Sequence, residues 1–155
     1  MDHPMPSLDR LAFSATVHCL TGCAIGEVLG LVIATALGWS DLPSIVLAIV
    51  LAFTFGYALT IRPLVASGMP VRRAGRLAFA SDTLSITTME IVDTAIIVAI
   101  PGAMAAGLVD PLFWASLAVA LLIAGVVAFP VNRWLIARGR GHALVHELHD
   151  RSPEG

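Results

Sequence analysis

Long apolar runs separated by short polar breaks dominate the chain. Four are visible: Leu11 to Leu37, Pro43 to Val65, Leu77 to Ala106 and Pro111 to Ala137. Each reaches the roughly 20 residues needed to cross about 30 Å of hydrocarbon. None alternates with a period of two, so a closed barrel is excluded. Helices are the other way to satisfy every backbone group in lipid. The expected fold is all-α, a four-transmembrane-helix bundle.

Local punctuation sets the ends. Asp110-Pro111 reads as an N-cap followed by proline at the first helical position. Pro101-Gly102 should kink or end the third helix near one end, and Pro130 should bend the fourth. The third run is polar in its first half, which sets it apart from the others. A weak repeat also shows. Residues Arg62 to Gly68 echo Arg133 to Gly139, 71 positions on, and the same shift carries His18-Cys19 onto Met89-Glu90. Such a repeat would make two parallel hairpins about an axis along the membrane normal.

Composition agrees with the pattern. Of 155 residues, 57% are hydrophobic and 13% charged, against about 45–50% and roughly 25% in soluble domains. The mean hydropathy is +0.88. The net charge of −2 offers no footprint for nucleic acid. All nine basic residues are Arg, and they are unevenly placed. Arg10 lies in the N-terminal segment, and Arg62, Arg72, Arg73 and Arg76 lie around the connection between runs two and three. Arg133, Arg138 and Arg140 lie at the C-terminal end. The connections Gly38 to Leu42 and Gly107 to Asp110 hold none. The positive-inside rule then puts both termini in the cytoplasm. Trp39 and Trp114 fall at the outer interface and Trp134 at the inner one. The organisation is a cytoplasmic N-terminal segment (1–10), a transmembrane domain (11–138) and a cytoplasmic His-containing tail (139–155). No removable signal peptide is expected, because the first apolar run is too long.

The candidate chemistry lies inside the runs. Ionisable groups at membrane depth are costly and mark a functional site by default. The first run carries Cys19, Cys23 and Glu27 at successive i, i+4 positions, with His18 beside them. Thiols on one helix a turn apart suit a disulfide poorly, so they read as free thiols or ligands. Gly22, Gly26 and Gly30 form a second ladder, which lets another backbone approach closely. The third run brings Asp82, Met89 and Asp93 into one arc, with Glu90 adjacent. At about 1.5 Å per residue, His18 and Cys19 reach the depth of Ser85 to Met89. Cys23 and Glu27 reach that of Glu90 and Asp93.

Three readings follow. Thiolates, imidazole, thioether and carboxylates at His18, Cys19, Cys23, Glu27, Met89, Glu90 and Asp93 suit a soft or borderline transition metal. Copper comes first, with zinc or iron as alternatives. Glu27, Glu90 and Asp93 also suit a proton relay serving a small-solute transporter or a channel-like oligomer. The polar groups can instead glue helices together, as in an accessory subunit of a larger membrane complex. Four short helices leave little room for a large cavity, which favours a homo-oligomer or such a complex. His142, His146 and His149 share one helical face in the tail. They read as a solvated amphipathic segment before a metal site, and Met1-Asp2-His3 is a weaker divalent-ion site still. No nucleophile elbow, phosphate loop, dinucleotide fingerprint or zincin motif occurs, so nothing points to an enzyme.

The segments HCLTGCAIGE (18–27) and SDTLSITTMEIVDT (81–94), with the four-span layout, resemble a bacterial inner-membrane family known as domain of unknown function 4396. The resemblance covers about residues 10 to 140. It implies a four-helix domain in the bacterial inner membrane and brings no activity with it.

Overall fold

The computed structural model describes residues 7–138. The candidate ligands in the tail, His142, His146 and His149, and those at residues 1–3, lie outside the described residues.

Four helices follow one another: α1 (Leu8–Leu37), α2 (Asp41–Ala66), α3 (Val71–Ala99) and α4 (Pro111–Ala137). With 26 to 30 residues each, they are roughly 39–45 Å long. That exceeds the roughly 30 Å hydrocarbon thickness and leaves about one turn at each end beyond it.

Several of the ends have a local cause. The Ser7 hydroxyl accepts the Arg10 N–H at 3.3 Å and starts α1. Gly38, at φ 65°, closes it in the left-handed region that a side chain would resist. Asp110 Oδ1 accepts the Leu112 N–H at 2.9 Å and caps α4, with Pro111 first in the helix. The Pro101-Gly102 pair does end α3: Ile100 is the last capped position and Gly102 sits at φ 80°. Pro63 and Pro130 are accommodated within continuous helices.

Two sequence boundaries need correction. The third apolar run spans Leu77 to Ala106, but the helix spans Val71–Ala99. Arg72, Arg73 and Arg76 therefore lie in its first two turns rather than in a loop. Cations there oppose the helix dipole, so hydropathy alone misjudges where the helix begins. Residues after Ala99 form turns. The Trp114 indole N–H holds that connection by donating to the Leu108 carbonyl at 2.8 Å. The 71-residue repeat superimposes α2 on α4 to within a residue at each end, but leaves α1 and α3 out of step.

Lipid-type patterning runs through the bundle. The buried positions hold mainly small or polar residues: Ala12, Cys19, Cys23, Ala52, Ser85, Glu90, Asp93, Ala120, Ala124 and Ala128 among them. Large apolar side chains face outward, such as Ile91 at 65% exposed, Leu122 at 69% and Val126 at 74%. Water would drive the reverse arrangement, whereas lipid rewards close packing of small residues. α1, α2 and α4 are each long and apolar enough to span a membrane. α3 is long enough but carries Asp82, Glu90 and Asp93. Its Phe79, Leu84, Ile91 and Val98 are exposed while Glu90 and Asp93 are buried. It is amphipathic with its apolar side outward.

The tightest contact joins α1 to α2. A Cβ on Gly22 would meet Gly56 Cα at 2.8 Å, and one on Gly30 would meet Ala48 Cα at 2.9 Å. Gly26 packs against the backbone of Ala52 between them. The expected close approach is thus made with α2, as an antiparallel zipper of small residues.

Candidate functional site

The zipper sets the rotation of α1, and the rest of its chemistry follows. With the glycines turned to α2, the neighbouring ladder of Cys19, Cys23 and Glu27 turns toward α3. The depth match is as the rise per residue requires. Ser85 Oγ donates to Cys19 Sγ at 3.5 Å, fully buried. One turn further along, the Cys23 thiol is the electrostatic neighbour of the Glu90 carboxyl. Beyond it, the Glu27 and Asp93 carboxyls are neighbours in the same way.

These side chains divide into two environments. Cys19, Cys23 and Met89 belong to a packed apolar cluster with Ala52, Ile86, Ala124 and Ala128. Both cysteines are free thiols. Glu27, Glu90 and Asp93 instead line a cavity of about 110 Å³. It lies toward the end of the bundle formed by the α1–α2 and α3–α4 connections, away from the arginines. α2 contributes Ser44, Ile45, Ala48 and Ile49 to its wall, and α4 contributes Phe113 and Ser116. Among the described residues, no Arg, Lys or His lines it.

The polar atoms of this cavity are unusually bare. Glu90 is 5% exposed and Asp93 2%. Glu90 Oε1, Asp93 Oδ1, Glu27 Oε1 and Ser116 Oγ are each buried without a hydrogen-bond partner among the described residues. Leaving a buried polar atom unpaired costs about 1–3 kcal/mol, and more for a charged group. Part of the demand is met inside the site, where the Glu27 and Asp93 carboxyls hydrogen-bond each other and the Cys23 thiol hydrogen-bonds Glu90. The oxygens left over, with Ser116 Oγ, are open to donors from outside the fold. Three carboxylates without a counter-charge cannot all stay ionised there, so protons or a bound cation must balance them.

The other expected site residues fall differently. His18 is exposed on the flank of α1 rather than joining the cavity. Among the described residues, no group of three His, Cys, Asp or Glu side chains is arranged to hold a metal ion. Ser116, Tyr57 and Thr83 have a place in the structure that the sequence pattern misses, and Asp82, already in the arc of Met89 and Asp93, lies outside the expected ligand set. Ser116 of α4 completes the cavity. Asp82 accepts from Ser81 Oγ at 2.8 Å and keeps its Oδ2 buried and unpartnered. Tyr57 and Thr83 share a 2.6 Å hydrogen bond across α2 and α3. A lone serine in an apolar run gives no signal of its own. Asp82 does share the arc of Met89 and Asp93, and that spacing is the available clue.

A helical bundle with large apolar side chains outside, and acids, thiols and small residues inside, is the architecture of a membrane protein. The chain belongs to the family described as Domain of unknown function (DUF4396), whose model matches residues 10–141. No curated protein and no solved structure matches it.

Proposed function

We propose that this protein binds a small cation in the Glu27–Glu90–Asp93 cavity and carries it across the bacterial inner membrane in exchange for protons held on the same carboxyls. One observation carries this reading: three carboxyls with unpartnered buried oxygens line one cavity to which the described residues bring no basic side chain. Acceptor-only groups in low dielectric select positive charge. They can hold either the cation or protons, and that exclusivity is the physical basis of exchange. In this reading all four helices span the membrane, both termini are cytoplasmic, and the cavity opens toward the periplasm.

The soft-metal reading adds His18, Cys19, Cys23 and Met89 to the same three carboxyls, but the three sulfurs are packed with the core cluster rather than in the cavity wall. Burial among Ala52, Ile86 and Ala124 favours thiols that act as small apolar groups. The two readings order the same variants oppositely, so one experiment separates them.

That experiment uses proteoliposomes loaded with a pH dye and challenged externally with Na⁺, K⁺, Zn²⁺, Cu(I) or methylammonium, with protein-free vesicles as the blank. At least one cation should drive proton exit. Glu90→Gln and Asp93→Asn should abolish it, while Cys19→Ser and Cys23→Ser stay near wild type. If the Ser variants lose stoichiometric metal uptake and the carboxyl variants keep it, the metal reading replaces this one. If no cation in the series moves protons, the carrier reading is wrong.

A further inference from the structure

The wall of the cavity points to the class of cation, an inference that rests on the reading of the cavity as a cation site. We infer that its ligand is a small organic cation, a protonated amine with an apolar body. Three features converge on that chemistry.

The first is the donor demand. Glu27 Oε1, Glu90 Oε1, Asp93 Oδ1 and Ser116 Oγ are buried without partners among the described residues, and all four residues line the same space. A primary ammonium offers three N–H donors and no acceptor. It can satisfy several of these oxygens at once, whereas a single proton satisfies one.

The second is the remainder of the wall. Leu31, Ile45, Ile49, Ile97, Met104 and Phe113 supply an apolar lining away from the acids. A bare inorganic ion would leave that lining facing water or empty space. A hydrocarbon chain attached to the ammonium covers it, and Phe113 adds an aromatic ring to a site selecting positive charge.

The third is size. At about 110 Å³ the cavity offers far more than the roughly 10–15 Å³ that one water requires on this measure. The space suits a molecule of several heavy atoms.

The ammonium head then sits between Glu90 and Asp93 of α3 and Glu27 of α1, with Ser116 of α4 beside it. The titratable groups around it are these three carboxyls and the Cys23 thiol next to Glu90. α2 and α4 bring only Ser44 and Ser116 as polar groups in the wall. The chain of the ligand runs toward Ile45, Ile97 and Phe113.

The test is isothermal titration of the full-length protein in nanodiscs, which have no lumen, with ethyl-, butyl- and hexylammonium chloride. Butanol serves as the neutral counterpart and NaCl as the inorganic one. Affinity should rise about fourfold per added methylene until the chain fills the cavity. Butanol should not bind. Asp93→Asn should weaken butylammonium binding at least tenfold. Ile97→Phe should cut the series off at a shorter chain while still binding ethylammonium, which also shows that this variant is folded. Equal binding of butanol, or binding untouched by Asp93→Asn, would overturn the inference. Cation-driven proton exit in the proteoliposome assay without any alkylammonium binding would overturn it too, yet leave the carrier reading standing. Failure of both assays removes both.

Discussion

Asn132 of α4 donates from Nδ2 to Thr16 Oγ1 of α1 at 2.9 Å, and both residues are buried. Thr16 passes its own proton to the Ala12 carbonyl at 2.8 Å, so its oxygen is free to accept. This is helix glue of the ordinary kind, and such bonds average about 0.6 kcal/mol with a maximum near 1.7. A double-mutant cycle of Thr16→Val and Asn132→Ala, read by unfolding in bicelles, should return a coupling of about that size. A coupling well above 1.7 kcal/mol would mean that this pair does more than hold two helices together. The thiols differ again. Cys23 is fully buried and Cys19 is 4% exposed, so a water-soluble maleimide should leave both unlabelled in the folded protein and label both in denaturant. Rapid labelling of Cys23 in the native state would show that the core cluster around it opens.

At the scale of elements, the α1–α2 zipper is the most constrained contact. A Cβ at Gly26 would run into the backbone of Ala52, which cannot rotate aside. Overpacking of this kind costs about 1–3 kcal/mol, so Gly26→Ala should already destabilise the bundle and Gly26→Leu should do so more. The proper control is Ala36→Leu, because Ala36 is exposed. Ala34 is 2% exposed and would itself be overpacked. The control should stay within about 0.5 kcal/mol of wild type. Gly75 gives the opposite expectation. It lies inside α3, and a methyl group placed there would have nothing within 4 Å, so Gly75→Ala should stabilise by about 0.5–1 kcal/mol. Both shifts are measurable in one detergent or bicelle unfolding series. Equal effects at Gly26 and Ala36 would contradict the zipper.

For the whole molecule, the question is how α3 lies relative to lipid. Three helices qualify as spans by length and apolarity, and α3 is the one with three acids. Its burial pattern is compatible with a fourth span. Glu90 and Asp93 face the other helices while Phe79, Ile91 and Val98 face outward. The arginines sit at one end of the bundle, where Arg133 Nε meets Asp9 Oδ1 at 2.6 Å and Arg138 lies 5.3 Å over the Trp134 ring. The acid-lined cavity sits toward the other end. Reporter fusions should therefore place residues 1 and 155 in the cytoplasm and a fusion after Trp39 outside. An external C-terminus would mean that α3 does not cross, and the four-span arrangement would fall with it.

The number of helices, most of their ends and the depth at which α1 and α3 could meet are legible in the residue pattern alone. Those properties depend on chain-local physics. Apolar length, proline and glycine punctuation, and a fixed rise per residue act without reference to neighbours. That is why Cys19 against Ser85 and Glu27 beside Asp93 could be read from spacing. Which face of α1 meets which helix depends on how the four helices pack. The glycine and thiol ladders are adjacent on α1, and periodicity assigns a residue to a face but not to a partner. The contact of Gly22, Gly26 and Gly30 with α2 set that rotation. It left His18 exposed, packed Cys19 and Cys23 with Ala124 and Ala128, and turned Glu27 to the cavity, where α3 presents Glu90 and Asp93. The packing of α4 adds Ser116, a residue whose role exists only once four helices are assembled. Side-chain identity supplied the acids. Helix rotation, governed by close packing of small residues, made them a site.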